Sequence, residues 1–259
     1  MEQLLDGLHT RWLGRPFAHF EELSSTNDYL KENARALPHG AAVTADHQTA
    51  GRGRSGKAWQ EGARDGLALS VLLKPPSVHH TQLLPLVCAL AVKSALYRLS
   101  IPGAGIKWPN DIVVNGKKVC GILCEGVVSG QEAYAVCGMG INVMQDASTF
   151  AARALPFATS LYAESGRRYE IDKVAAAVLD ALERYYDRLL DAGFDALCDE
   201  YMNSCVTIDK EVRVIQNGAV REGRAVGLAR SGALLVTLDG VLTEINAGEA
   251  SVRGLYGYV

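Results

Sequence analysis

The sequence has no uninterrupted apolar run of about 18 residues, so no segment is suited to cross a bilayer as a helix. Its opening, Met1-Glu2-Gln3-Leu4-Leu5-Asp6-Gly7, lacks the basic segment and apolar core of a secretory signal, and a cytoplasmic location is expected. Neither sign of charge dominates: 26 basic residues against 29 acidic give a formal net charge of −3. That balance supplies no general attraction to nucleic acid or to anionic membrane. The six cysteines, Cys88, Cys120, Cys124, Cys137, Cys198 and Cys205, include no Cys-x-x-Cys pair, and no histidine stands at zinc-ligand spacing from them. Neither a metal site nor a disulfide framework is expected. Most of these cysteines lie in apolar runs, where a reduced thiol packs as a small hydrophobe. Internal repeats and low-complexity tracts are missing too. What remains is an ordinary globular composition, 48% hydrophobic and 21% charged over 259 residues. That length suits one large domain, or a large one with a small companion.

Against this evenness stands Gly51-Arg52-Gly53-Arg54-Ser55-Gly56-Lys57. Its glycines remove side-chain bulk, so the backbone can approach a ligand closely. Cations alternate with them. A locally cationic, glycine-rich loop in a slightly acidic chain points to a bound anion, phosphate first. The plain alternative is a solvated loop with no ligand. Two familiar patterns fit this stretch by spacing and fail by context. As a P-loop it has Ala58 where a hydroxyl must meet Mg²⁺, and Asp46 to Ala50 are too polar for the buried strand before it. Gly51-x-Gly53-x-x-Gly56 also spells the dinucleotide fingerprint, but Glu61 to Gly66 reads as more loop, not the required helix.

Residues 1–16 form a short lead, read as one or two helical turns around Leu4, Leu5, Leu8 and Trp12. Phe17–Leu23 reads as a strand, and Ser24-Ser25-Thr26-Asn27-Asp28 as polar caps for a helix over Tyr29–Ala36. Such a strand-to-helix turn is also a common place to hold a polar ligand. Strands are expected at Ala41–His47 and Leu67–Leu73, then a helix over Thr81–Leu99 with Pro85 in its first turn. Lys107, Asn110 and Asp111 punctuate Ile106–Val114, and Pro109 forbids regular pairing there. Asn115-Gly116 is a hairpin signal. It leads through Lys117 and Lys118 into a strand ending at Glu125. Lysines beside a hairpin commonly guard an edge strand, but Gly121 interrupts the strand just past Lys118, as happens where a ligand comes close.

Ala133–Cys137 is a further strand delivering Gly138-Met139-Gly140-Ile141-Asn142. Its alternate glycines leave one face bare for a packed strand or a flat ligand. Helices are read over Ala151–Ala154, Asp172–Asp191 and Phe194–Cys205. After about residue 206 the texture changes to short β runs at Glu211–Ile215, Glu222–Gly227, Ala233–Leu238 and Val241–Ile245. Turn pairs Asn217-Gly218, Ser231-Gly232 and Asp239-Gly240 separate them, as in a small β-barrel. The order predicts an α/β chain with a mixed sheet, not a regular βαβ repeat. The expected divisions are 1–16, 17–205 and 206–259.

Six blocks taken together resemble the biotin protein ligases. They are Ser25-Thr26-Asn27, Gln48 to Arg54, Lys107-Trp108-Pro109-Asn110-Asp111, Lys118-Val119-x-Gly121-Ile122-Leu123, Gly138-x-Gly140-Ile141-Asn142 and Gly248 to Arg253. They stand in the family's order from Phe17 onward. The resemblance implies a catalytic domain like that of class II aminoacyl-tRNA synthetases, followed by a small SH3-like barrel. It implies a ligase that activates biotin with ATP as biotinyl-5′-AMP and passes it to a lysine of a biotin carboxyl carrier domain. Only about sixteen residues precede the catalytic part, so no DNA-binding domain and no repressor activity are expected. The rival readings are a lipoate or octanoate ligase on the same fold, and a biotin-binding regulator. Subunit number stays open between monomer and homodimer.

The resemblance also assigns roles. Ser25, Thr26, Asn27 and Gln48 would meet the ureido end of biotin. Backbone at Gly51, Arg52, Gly53 and Arg54 would close over the ligand, with the two arginines facing carboxylate and phosphate. Lys118 would hold the biotin carboxylate or the α-phosphate, and Gly121 would give the biotin chain room. Trp59 would cover the adenylate and Asn142 meet adenine. Lys107 and Asp111 would lie near the phosphates or the incoming lysine. Mg²⁺ would come with ATP, with no protein ligands assigned. Lys57 stands where the family often has arginine, and Cys120 where alanine is usual. A point charge in place of a planar fork weakens bidentate phosphate contact.

Overall fold

A computed structural model of the chain describes residues 7–56, 58–59, 64–129, 132–216, 218–248, 251–254 and 258. Strands β1 (Phe17–Leu23), β2 (Ala42–Gln48), β3 (Gly66–Leu73), β4 (Ala104–Lys107), β5 (Asp111–Val114), β6 (Lys117–Ser129) and β7 (Glu132–Asn142) share one sheet. Their order is β1-β2-β3-β7-β6-β5-β4. β1 and β2 run parallel across helix α1 (Thr26–Glu32), and the other neighbouring pairs are antiparallel. This is the mixed sheet expected. The strand containing Gly138 and Gly140 runs unbroken to Asn142.

Strand alternation sorts the side chains into two layers. Leu67, Leu69, Val71 and Leu73 of β3 enter the main core, joined by Ala135, Cys137, Met139 and Ile141 of β7. That core lies against α2 (Val78–Arg98) and α5 (Ile171–Ala192). The intervening residues face the other way. Leu72, Tyr134 and Val136 pack with Leu30 of α1. Farther along the same face, Ala68, Gly138 and Gly140 open on a cavity.

Capping explains where the helices depart from expectation. Ser25 accepts the Asp28 N–H at 3.4 Å, so α1 starts at Thr26, and Thr26 and Asn27 belong to its first turn. Ser77 caps α2 in the same way. That early start places Pro85 in the helix interior instead of its first turn, where it withholds one ladder hydrogen bond. The short helix α3 (Ala147–Ala152) begins before the expected Ala151. Helix α4 (Leu161–Ser165) was not expected, although Ser160 caps its start and Gly166 its end. Helix α6 (Asp195–Ser204) follows α5 through Gly193, whose φ of 71° suits a residue without Cβ.

Of the lead, residues 7–16 contain no helix, and Leu4 and Leu5 lie outside the described residues. Leu8 and Leu13 instead join the main core. Asn115 and Gly116 take φ of 50° and 74°, the left-handed pair that a tight hairpin needs. Cys88, Cys124 and Cys137 place their sulfurs within 4.8 Å of one another, a convergence from three elements that spacing in the sequence does not show.

Five further strands, β8 (Glu211–Gln216), β9 (Ala219–Leu228), β10 (Leu234–Leu238), β11 (Val241–Ile245) and β12 (Ser251–Gly254), form an antiparallel sheet. Its order β11-β10-β9-β8-β12 is that of an SH3-like barrel. β12, not read as a strand from sequence, pairs with β8. The two sheets share apolar packing: Val212, Val214, Leu234 and Val236 belong to the same core as Ile106 and Trp108. The Trp108 indole donates to the Gly232 carbonyl at 3.1 Å and fixes that joint.

Candidate active site

A single row of residues crosses the sheet and makes the floor of a cavity of about 850 Å³. Strand register aligns Lys107 with Asp111, Asp111 with Gly121, Gly121 with Gly140, and Gly140 with Ala68. Charge therefore stands at one end and bare backbone in the middle. The bareness is used: a Cβ on Gly140 would lie 2.4 Å from Trp59 Cε2, and one on Gly121 2.9 Å from Trp59 Cζ3. One on Gly138 would come within 2.3 Å of Asn27 Oδ1. The alternate glycines thus admit the Trp59 and Asn27 side chains against the sheet.

Lys118 reaches this face through a β-bulge. Cys120 pairs with Ile112 and Lys118 with Val113, leaving Val119 as the extra residue. Val119 and Cys120 are both fully buried in the main core. Strict alternation from Gly121 would have buried Lys118 there instead. Its backbone is then fixed by its N–H to Phe157 O at 2.7 Å and its carbonyl from Thr159 N at 2.9 Å. Its ammonium lies 2.6 Å from Asp111 Oδ1 and 5.4 Å from the Trp59 ring centroid.

The strand-to-helix turn builds a polar end. Gln48 Oε1 accepts the Thr26 N–H at 2.9 Å and its hydroxyl at 3.1 Å. Ser70 donates toward Thr26 Oγ1 and Asn27 Oδ1, at 2.7 and 2.6 Å, and is fully buried. Asn27 Nδ2 donates to Glu125 at 2.8 Å. Arg52 meets both oxygens of Glu125 at 2.8 Å and Asp28 at 2.9 Å, so its charge is matched by carboxylates of this end. Burial alone raises the Glu125 pKa, but hydrogen bonds from Asn27 and Lys31 and the charges of Lys31 and Arg52 hold it below the usual carboxylate value.

Arg54 donates to Asn110 Oδ1 at 2.7 Å, and Asn110 in turn donates to the Ile122 carbonyl at 2.6 Å. Burial draws the guanidinium pKa down and Asp111 pulls it partly back. Gly51 does not line the cavity; its carbonyl accepts the Trp59 N–H at 2.9 Å and anchors the loop's return. Apart from Arg52, which Glu125 and Asp28 match, the described lining residues include five cations, Arg54, Lys107, Lys118, Arg153 and Arg253, and one carboxylate, Asp111. Such a cavity favours an anionic guest.

Residues 19–142 match the model of the biotin/lipoate A/B protein ligase family, and residues 207–253 that of the biotin protein ligase C-terminal domain. The biotin protein ligase of Aquifex aeolicus, solved with biotin and ATP, matches with a TM-score of 0.81 at 32% identity, covering 92% of this chain and 98% of that one. The chain belongs to the biotin protein ligase family. The bifunctional ligase/repressor BirA of Bacillus subtilis is 32% identical over 239 residues, 91% of this chain and 74% of that protein. The biotin–[acetyl-CoA-carboxylase] ligase of Mycobacterium tuberculosis is 32% identical over 219 residues, 81% and 78% of the two chains.

Within this biotin protein ligase fold, Ser25, Thr26, Asn27, Gln48, Arg52, Gly53, Arg54, Trp59, Lys107, Asp111, Lys118, Gly121 and Asn142 all line one cavity. Asn142 donates to the Thr159 carbonyl at 2.9 Å. Lys57, Glu249 and Ala250 lie outside the described residues. Sequence reasoning missed Glu125, Ser70 and Tyr258. Glu125 and Ser70 had a signal, each being a polar residue set in an apolar strand. Tyr258 had none.

Proposed function

We propose that this chain is an ATP-dependent biotin protein ligase acting in two steps. The biotin carboxylate attacks the α-phosphate of ATP, forming biotinyl-5′-AMP and releasing pyrophosphate. The amine of a lysine on a biotin carboxyl carrier domain then attacks the acyl carbon, forming the amide and releasing AMP. No enzyme nucleophile is required, so catalysis rests on position and charge. The observation that carries the reading is the glycine-floored row ending in Asp111 and Lys107, with Lys118 bulged over it.

Ser25, Thr26, Asn27 and Gln48 supply donors and acceptors for the ureido group, with Ser70 and Glu125 fixing Asn27. Lys118 and Arg54 meet the carboxylate and α-phosphate, where negative charge gathers. Trp59 covers the adenylate and Asn142 lies toward adenine. Lys107 and Asp111 stand at the end where phosphate leaves or the acceptor lysine enters. Among the described lining residues the one carboxylate, Asp111, is engaged by Lys118 and Tyr258. Mg²⁺ is expected as the partner of ATP. Residues 17–205 supply the groups named above, and the companion barrel region, 206–259, adds Arg253 and Tyr258 to the cavity lining.

Purified chain given ATP, Mg²⁺ and biotin is expected to form biotinyl adenylate and to label a carrier domain. Titration with biotin and with lipoate in parallel is expected to show heat for biotin alone. Binding of lipoate in place of biotin, or no adenylate, overturns the reading.

A further inference from the structure

Asp111 stands between two lysines. Lys118 Nζ lies 2.6 Å from its Oδ1, and Lys107 is its registered neighbour on β4. Both lysines line the cavity, and the ammonium that meets the carboxylate is that of Lys118. A residue from the far end of the chain separates them. Tyr258, 147 positions beyond Asp111, donates its phenol to Asp111 Oδ2 at 2.5 Å. Its ring centroid lies 3.8 Å from Lys107 Nζ, so that ammonium meets a π-face there. Phe157 stacks on the same ring, 6.0 Å between centroids and 26° between planes. The Phe157 carbonyl is also the group that accepts the Lys118 N–H. The tyrosine is thus braced by the segment that fixes the Lys118 backbone.

We propose that Tyr258 is a positioning residue for adenylate formation: its hydroxyl occupies Asp111 Oδ2 and so holds the carboxylate toward Lys118, while its ring packs against the Lys107 ammonium. The proposal rests on the ligase reading of the cavity. A carboxylate offers two oxygens and about four acceptor sites. With Oδ2 occupied by a neutral donor, Asp111 opposes its charge to Lys118 through Oδ1. Burial first, and then the Asp111 charge, raise the phenol's pKa, so it remains a neutral donor at working pH. Lysine is a flexible point charge with three donors. Without the hydroxyl, Oδ2 loses its donor, the carboxylate is free to turn, and the Lys118 ammonium loses its register over the floor.

The test compares Tyr258→Phe and Tyr258→Ala in the full chain by biotin-dependent ATP–pyrophosphate exchange, with thermal unfolding measured alongside. Tyr258→Phe keeps the ring and loses only the hydroxyl. Its kcat is expected to fall about 10-fold, the usual weight of one hydrogen bond to a charged group, with KM for biotin within about twofold and Tm unchanged. Tyr258→Ala is expected to lose more. A packing role alone predicts a wild-type kcat for Tyr258→Phe, and that result overturns the proposal. If the tyrosine acts through Asp111, Tyr258→Phe adds no further loss to Asp111→Asn, whereas multiplied losses count against it. A wild-type chain that makes no biotinyl adenylate instead overturns the ligase reading, and this role with it.

Discussion

Val119 and Cys120 are neighbours on one strand, yet both lie in the main core with no exposed surface. That doubling is what turns Lys118 out of the core and over Gly121. Removing the ammonium by Lys118→Ala is expected to slow adenylate formation about 10²- to 10³-fold, as for loss of a group that opposes developing charge. The side chain is 26% exposed, so Tm is expected to change little. Near-normal pyrophosphate exchange in this variant would reject the role of Lys118.

Arg54 donates to Asn110 Oδ1 and is held over the cavity by that bond. Its loop returns through the Gly51–Trp59 backbone bond. Arg54→Gly removes the guanidinium proposed to face the adenylate and loosens the loop in the same stroke. The expected outcome is escape of biotinyl adenylate, read as biotinylation of bystander proteins mixed with the enzyme. Labelling confined to the carrier domain contradicts this.

Much of this site was legible because its chemistry requires residue types that are conspicuous. Glycines in strands and cations between glycines stand out against an apolar background, and the six blocks that carry them do converge on one cavity. The limits were geometric. A polar cluster such as Ser24 to Asp28 signals a cap without saying which residue caps. The choice of Ser25 moved Thr26 and Asn27 onto the helix. Likewise Ser77, not the proline, set the start of α2. A bulge leaves no composition signal, so the facing of Lys118 could not be read. Contacts that bridge long separations, such as Glu125 with Arg52 or Tyr258 with Asp111, are properties of the folded sheet.

Gly138 and Asn27 fit because one lacks a side chain. Asn27 is pinned by Ser70, Glu125 and the Leu123 carbonyl at 2.6, 2.8 and 3.2 Å, so it has little freedom to move aside. A Cβ at 138 would stand 2.3 Å from its oxygen. Gly138→Ala is expected to cost about 1–3 kcal/mol of stability as an overpacked site. It is also expected to weaken biotin binding at least 10-fold by displacing the Asn27 amide. Urea unfolding checks the first and calorimetric titration the second: wild-type affinity would show that Asn27 does not meet biotin.

Glu183 fastens the lead to the catalytic fold. Its oxygens accept the backbone N–H groups of Arg11, Trp12 and Leu13, each at 2.9 Å, although these residues are about 170 positions away. Burial alone raises its pKa, but these backbone donors together outweigh that and hold it below the ordinary 4.5. A carboxylate lowered on folding adds stability above its unfolded pKa, and that stability is lost as pH falls through the folded value. Glu183→Gln keeps one carbonyl acceptor and removes the charge. It is expected to cost about 1–3 kcal/mol near pH 7, the weight of charge-assisted hydrogen bonds made to buried backbone. The difference from wild type is expected to shrink as the medium is acidified below 4.5, because protonated Glu183 also carries no charge. Urea unfolding at a series of pH values measures this directly. Two parallel stability curves, separated equally at neutral and acid pH, would show that the charge of Glu183 does not hold the lead in place.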